Sequence, residues 1–238
     1  VDAMISASSG YTPASAAAGD ITGNVTLSYQ GDLDGDGRAD LVWRDYSTGE
    51  VTVWLMGEDG TPLFNGPPTL AQEAEGITDG GRPGLTDSLE WTVRGLYDMN
   101  ADAKADVVWQ HGSDGRVVVW LMDGAEITGF KEYQRIEADN WRIVGLGDLN
   151  GDGRGDIVWR NDATGQVQAW LMTGADSEAE PAYEEREIAM GEDALNWEVK
   201  AVGDFRAPGC DDVYFKQSET GAAKIVTLDG QEFTPVVE

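Results

Sequence analysis

The sequence predicts an all-β fold built from four tandem repeats, and three observations predict it. One pattern of about 34 residues returns four times, its segments are short apolar runs or apolar/polar alternations, and Gly, Asp and Pro punctuate the junctions between them. No helix-period segment of useful length competes.

The first copy is VTLSYQGDLDGDGRADLVWRDYSTGEVTVWLMGEDG from Val25, and the others start at Trp91, Trp141 and Trp197. Their leading loop aspartates, Asp32, Asp98, Asp148 and Asp204, fall 66, 50 and 56 residues apart, while the copies align internally without a gap. Variable length is therefore confined to connectors such as the stretch after Met56, which carries the Gly, Pro and Asp of a surface loop.

Each copy reads as strand, acidic loop, strand, tight turn, strand. In the third copy WRIVGLG alternates around Trp141, Ile143 and Gly145, GDIVWR is a short apolar run, and Thr164-Gly165 precedes QVQAWLM. Gly49, Gly115, Gly165 and Gly221 are expected to turn the chain with positive φ. A fourth strand is expected in the connectors, around YQRIEA from Tyr133 and REIAM from Arg186.

In the third strand Val51, Val53 and Leu55 fall on one face and Trp54 and Met56 on the other, so the strand needs cover on both sides. Small sheets stacked face to face around an axis supply it. The expectation is a β-propeller of four blades with about four strands each, complete in itself or part of a larger ring. Residues 25–238 form this repeat domain, and residues 1–24 read as a linker or a ring-closing segment.

The loop is D-x-D-x-D-G-x-x-D in copy one, with Asp32, Asp34, Asp36 and Asp40. Copy three offers Asp148, Asn150, Asp152 and Asp156, and copy two Asp98, Asn100, Asp102 and Asp106. Oxygen donors at alternate positions of a tightly wound loop suit Ca²⁺, a hard ion that takes six to eight oxygens. The backbone carbonyls of Arg38, Lys104 and Arg154 fall at position seven, and Asp40 and Asp156 at position nine are expected to be bidentate. An EF-hand is excluded, because position twelve holds Trp43 or Trp159 in strand pattern.

Gly37 and Gly153 occupy the sharp turn at position six. Ala103 replaces them in copy two, at a cost of about 1 kcal/mol. Copy four keeps Asp204 and Asp212 but has Arg206, Pro208 and Cys210 where ligands should stand, so about three calcium ions are expected. Ten aspartates crowd the three intact loops and would repel one another without cations.

The totals exclude several classes. The chain has 238 residues, with 16 Lys and Arg against 44 Asp and Glu, a net charge of −28 that repels nucleic acid and anionic lipid alike. No run of about 18 apolar residues is present to span a bilayer. The first twenty residues lack the basic and apolar regions of a signal peptide and read as a trimmed or mature product. One cysteine, Cys210, and one histidine, His111, rule out an intrachain disulfide, a thiolate cluster and a multi-histidine zinc site. His111 reads as a polar turn residue, and the nine recurrent tryptophans as packing residues first and sugar platforms second.

The segments GDLDGDGRADLVWR and GDLNGDGRGDIVWR, each followed by TG and WLM, resemble the FG-GAP or VCBS-type repeats of bacterial secreted proteins and of the integrin α-subunit propeller. The resemblance implies a β-propeller with calcium loops, used in adhesion, carbohydrate binding or as an accessory domain of enzymes. That family commonly closes rings of about seven blades, whereas this chain holds four copies.

The functional expectation is a non-catalytic, calcium-binding module, extracellular or at the cell surface, recognising a glycan or an extracellular protein through its variable connectors. The location follows from calcium sites of extracellular modules, whose Kd of ~10⁻⁴ to 10⁻³ M leaves them empty at cytosolic calcium. Two alternatives stay open: a polysaccharide-acting enzyme or its accessory domain, and an assembly unit that oligomerises with other chains. No carboxylate pair outside the loops stands out by spacing as an acid and base.

Overall fold

The computed structural model describes residues 25–70, 88–133, 140–174, 183–206, 209–229 and 232–236. They form four sheets arranged as the blades of a β-propeller. Blade one is β1 (Val25–Gly31), β2 (Asp40–Asp45), β3 (Val51–Met56) and β4 (Pro62–Gly66). A two-residue strand, β5 (Thr69–Leu70), crosses to blade two and pairs in parallel with its outermost strand. Blade two is β6 (Trp91–Tyr97), β7 (Asp106–His111), β8 (Val117–Asp123) and β9 (Glu126–Tyr133).

Blade three is β10 (Trp141–Gly147), β11 (Asp156–Asn161), β12 (Val167–Met172) and β13 (Tyr183–Ile188). Blade four is β14 (Trp197–Gly203), β15 (Asp212–Gln217), β16 (Ala223–Asp229) and β17 (Glu232–Val236). Within each blade successive strands pair antiparallel in sequence order. The fourth strands of blades two and three lie earlier than the sequence suggested. β9 ends at Tyr133, where the expected segment began, and the rest of that segment lies outside the described residues.

The pattern shows why these segments form these strands. Gly49, Gly115, Gly165 and Gly221 close the β2–β3 type of hairpin with φ between 71° and 76°, a conformation that costs glycine nothing. Each first strand carries a bulge at one position, between Leu27 and Tyr29, Val93 and Gly95, Ile143 and Gly145, and Val199 and Ala201. A bulge adds local twist, and it falls where the innermost strands of neighbouring blades approach one another. There the hydrogens of Gly95 and Gly145 face Leu146 and Val202 of the next blade, so an added Cβ would stand 2.4 and 2.3 Å from those side chains.

Burial follows the two-faced strand pattern. Val42, Val51, Val53 and Leu33 of blade one pack on Trp91, Trp109 and Trp120 of blade two. Val108, Val117, Val119 and Met99 of blade two pack on Trp141, Trp159 and Trp170 of blade three. Val158, Val167, Ala169 and Leu149 of blade three pack on Trp197, Phe215 and Val226 of blade four. Every junction thus sets an aliphatic face against an aromatic one. Within a blade the tryptophans of adjacent strands meet at tilted angles, with 4.7 Å between the Trp109 and Trp120 centroids and 4.8 Å between Trp159 and Trp170.

The packing role expected of the tryptophans holds for Trp91, Trp109, Trp120, Trp141, Trp159 and Trp170, all buried. Trp43, Trp54 and Trp197 are half-buried. Truncating Trp159 to Ala should cost about 3 to 5 kcal/mol, and the same change at Trp43 markedly less. Urea denaturation followed by far-UV circular dichroism measures both, and equal losses would contradict this packing order.

Candidate metal centres

The three loops between first and second strands are wound alike. Asp32 Oδ1 accepts the backbone N–H groups of Gly35 and Asp36 at 2.8 and 3.1 Å, and Oδ2 that of Gly37 at 2.8 Å. Asp148 repeats this with Gly151, Asp152 and Gly153 at 2.8, 3.0 and 2.8 Å. Asp98 does so with Ala101, Asp102 and Ala103 at 2.7, 3.2 and 2.7 Å.

Positions three and five add shorter turns. Asp34, Asn100 and Asn150 accept from the N–H two residues on, as do Asp36, Asp102 and Asp152 from Arg38, Lys104 and Arg154. In the first loop, carboxylate oxygens of Asp32, Asp34 and Asp40 lie within 4.8 Å of one another. Oxygen is the sole donor type there, which fits a hard divalent cation.

The cationic side chains at position seven turn aside. Arg38 donates from Nε to the Met56 carbonyl at 3.1 Å and pairs with Asp36. Lys104 Nζ reaches Asp123 at 2.6 Å, and an Arg154 terminal nitrogen the Asn100 carbonyl at 2.7 Å.

The second loop carries strain at two alanines. Ala101 and Ala103 adopt φ of 64° and 67°, where the other loops have glycines at 73° to 85°. The sequence pointed to Ala103; Ala101, at position four, also stands where Gly35 and Gly151 do.

Position nine does work that the ligand spacing did not reveal. Asp40 accepts the N–H of Leu33 on Oδ2 and of Met56 on Oδ1, both at 2.8 Å. Asp106 accepts from Met99 and Met122, each at 2.9 Å, and Asp156 from Leu149 and Met172, each at 2.8 Å. These carboxylates staple the loop's second residue to the end of the third strand, and their remaining lone pairs are what a cation would share. Blade four keeps a looser version without the ligand set: Asp212 accepts from Phe205 N–H at 3.3 Å and from the Thr227 hydroxyl at 2.6 Å. The legible signal was the apolar residue at position two of every copy, Leu33, Met99, Leu149 and Phe205.

Burial with nearby loop carboxylates pushes Asp106 and Asp156 up to about 7, and Asp40 above its ordinary value for the same reasons, although the backbone donors pull the other way.

A ladder ties each loop to the preceding one. Ala105 N–H donates to the Asp32 carbonyl at 2.6 Å, Gly155 to Asp98 at 2.7 Å, and Asp211 to Asp148 at 2.6 Å. The Asp211 carboxylate also accepts from the Tyr97 hydroxyl at 2.8 Å and from Asp148 N–H at 2.9 Å, joining blades two, three and four. Burial and that carboxylate push the Tyr97 phenol well above its ordinary range.

His111 corrects the sequence reading. It ends β7 instead of lying in the turn, is buried, sits edge-on to Trp91, and places Nδ1 2.9 Å from Asp114. Its partners come from the hairpin that follows and from Glu90, 3.8 Å from Nε2.

Sheets stacked around an axis, three of them carrying an Asp-wound loop between their first two strands, define a repeat propeller with candidate cation loops. Residues 98–159 match the family model described as FG-GAP-like repeat, a stretch that runs from the second loop through Trp159. The same strand and turn plan recurs in all four blades, so the propeller carries FG-GAP-like repeats. A search of curated proteins gives no match to the chain.

Two outcomes follow. Ala101→Gly and Ala103→Gly should each stabilise the protein by about 1 kcal/mol, measured by chemical denaturation; no gain would show the loop is not strained. The raised Asp106 and Asp156 carboxyls titrate near 3.8 when unfolded, so their contribution is fully present below that pH and is lost as pH rises through about 7. In chelator, thermal stability should therefore fall across this window, and added calcium should restore it. A chelated protein whose stability rises from pH 4 to pH 7 would contradict this.

Proposed function

We propose that this protein is an extracellular calcium-binding module, non-catalytic, that recognises a glycan or a protein through its variable connectors. The observation that carries the calcium reading is the shared winding of the three Asp loops, with the Asp32, Asp34 and Asp40 oxygens gathered within 4.8 Å. Asp32, Asp34, Asp36 and Asp40 with the Arg38 carbonyl would hold one ion. Asp98, Asn100, Asp102, Asp106 and the Lys104 carbonyl would hold a second, and Asp148, Asn150, Asp152, Asp156 and the Arg154 carbonyl a third.

The extracellular reading rests on physical chemistry. A site of ~10⁻⁴ M affinity is mostly filled where calcium is about 1 mM, and at that roughly tenfold excess over Kd each ion adds about 1.4 kcal/mol of stability. No helix among the described residues is long and apolar enough to cross a membrane. A rigid blade stack with length variation confined to connectors suits recognition by loops, and FG-GAP propellers are typically non-catalytic.

Isothermal titration should count three calcium ions, and Asp148→Ala two. Chelation should lower the melting temperature of the parent protein by more than that of the variant. A chain that melts identically with and without chelator would overturn the calcium reading. The recognition reading would be overturned by a calcium-loaded protein that retains no partner on a glycan array and in a pull-down of extracellular proteins.

A further inference from the structure

The three internal junctions are built from one set of parts, and each end of the blade stack presents half of that set. At blade one the aromatic half is only partly covered: Trp43 and Trp54 have centroids 5.2 Å apart and a tilt of 55°, like the buried pairs Trp109–Trp120 and Trp159–Trp170. Those four rings are 0 or 1% exposed, whereas Trp43 and Trp54 are half-buried. At blade four the receiving half is open. Tyr214, Ala223, Ile225 and Phe205 stand where Val158, Val167, Ala169 and Leu149 receive the next blade. Tyr214 and Ile225 are half-buried, Ala223 is exposed, and Phe205 is 47% exposed.

Two polar devices end the same way. In blades two and three the residue after the second-strand aromatic and reaching the next blade is polar and buried. Gln110 donates to the Trp141 carbonyl at 2.8 Å and accepts from Ile143 N–H at 3.1 Å, and Arg160 donates to the Trp197 carbonyl at 3.3 Å. Arg44 of blade one lies over Trp109 of blade two. Lys216 holds this place in blade four and is exposed. The loop ladder also stops: among the described residues no donor is in place for the Asp204 carbonyl, and no acceptor for Ala39 N–H, the two positions that would add the next rung.

We infer that a second copy of this chain docks head to tail, the Trp43–Trp54 face of each copy seated on the Tyr214–Ile225 face of the other, closing a ring of eight blades. Such a contact continues the junction this chain already makes three times. Propellers span roughly four to eight blades, and a head-to-tail contact repeated by a two-fold axis closes without free ends. The terminal halves are less apolar than the internal ones. Gln30 stands where Leu96, Leu146 and Val202 insert, so the contact joins folded copies and is weaker than the internal junctions. The charge of −28 on each copy opposes association, so the dimer should strengthen as salt screens it over about 8 Å at physiological strength. The inference does not depend on the identity of any ligand.

Sedimentation equilibrium of the calcium-loaded chain tests it. The expected result is a particle of twice the 25.6 kDa chain mass that does not grow further with concentration. Ala223→Arg, on the exposed receiving face, should raise the dissociation constant at least about tenfold by burying an unpaired charge. Ala163→Arg, the same substitution in an exposed turn of blade three, should leave the dimer intact. Circular dichroism and a melt confirm that both variants fold. A monomer at tens of micromolar, an open-ended polymer, or a dimer indifferent to Ala223→Arg would each overturn the inference.

Discussion

Each sheet in this protein is apolar on both faces, and water is excluded from both only if another sheet lies on each side. That single constraint explains the architecture. An aliphatic face made of short β-branched side chains leaves room for the larger rings of the neighbour, so Val42, Val51 and Val53 receive Trp109 and Trp120, and the arrangement repeats two blades on. The inner-strand glycines follow from the same demand. The blades converge toward the axis, and Gly95 and Gly145 make the space into which Leu146 and Val202 fit.

The acidic loops serve that stacking as well as any ion. Asp40, Asp106 and Asp156 each bind one N–H from the loop and one from the third strand, so the loop is fixed to its own blade. The rungs from Ala105, Gly155 and Asp211 fix it to the preceding blade. A buried carboxylate among other carboxylates pays for this with desolvation, and its raised pKa reports that tension. A cation held by these loops would therefore be coupled to the loop's attachment to its own blade through one carboxylate in each of blades one to three. Blade four shows the structural half persisting alone, since Asp212 keeps its staple where Arg206 and Pro208 stand in place of the side-chain donors at positions three and five.

Much of this was legible in particular residues. The Gly at Gly49, Gly115, Gly165 and Gly221 announced positive φ, and the fixed spacing from Asp32 to Asp40 announced a wound loop, because both are local properties of the chain. The Ala103 strain was legible for the same reason. The burial of His111 was not, because only Asp114 is local to it, and Glu90 and Trp91 reach it through strand pairing and the neighbouring turn. The fourth strands were misplaced by several residues, since the outermost strand is half exposed and carries a weak apolar pattern.

The sequence by itself determined the repeat, the strand and turn plan, the two-faced strands and the candidate oxygen donors, all of which depend on residues close together along the chain. Only the tertiary structure decided that position nine binds two backbone N–H groups, that successive loops share a ladder, and that Trp43 and Trp54 are less covered than their counterparts. The reason is physical: burial and backbone hydrogen bonding between blades depend on which face meets which neighbour, and the same Trp in the same register is core or surface according to whether a sheet lies beyond it.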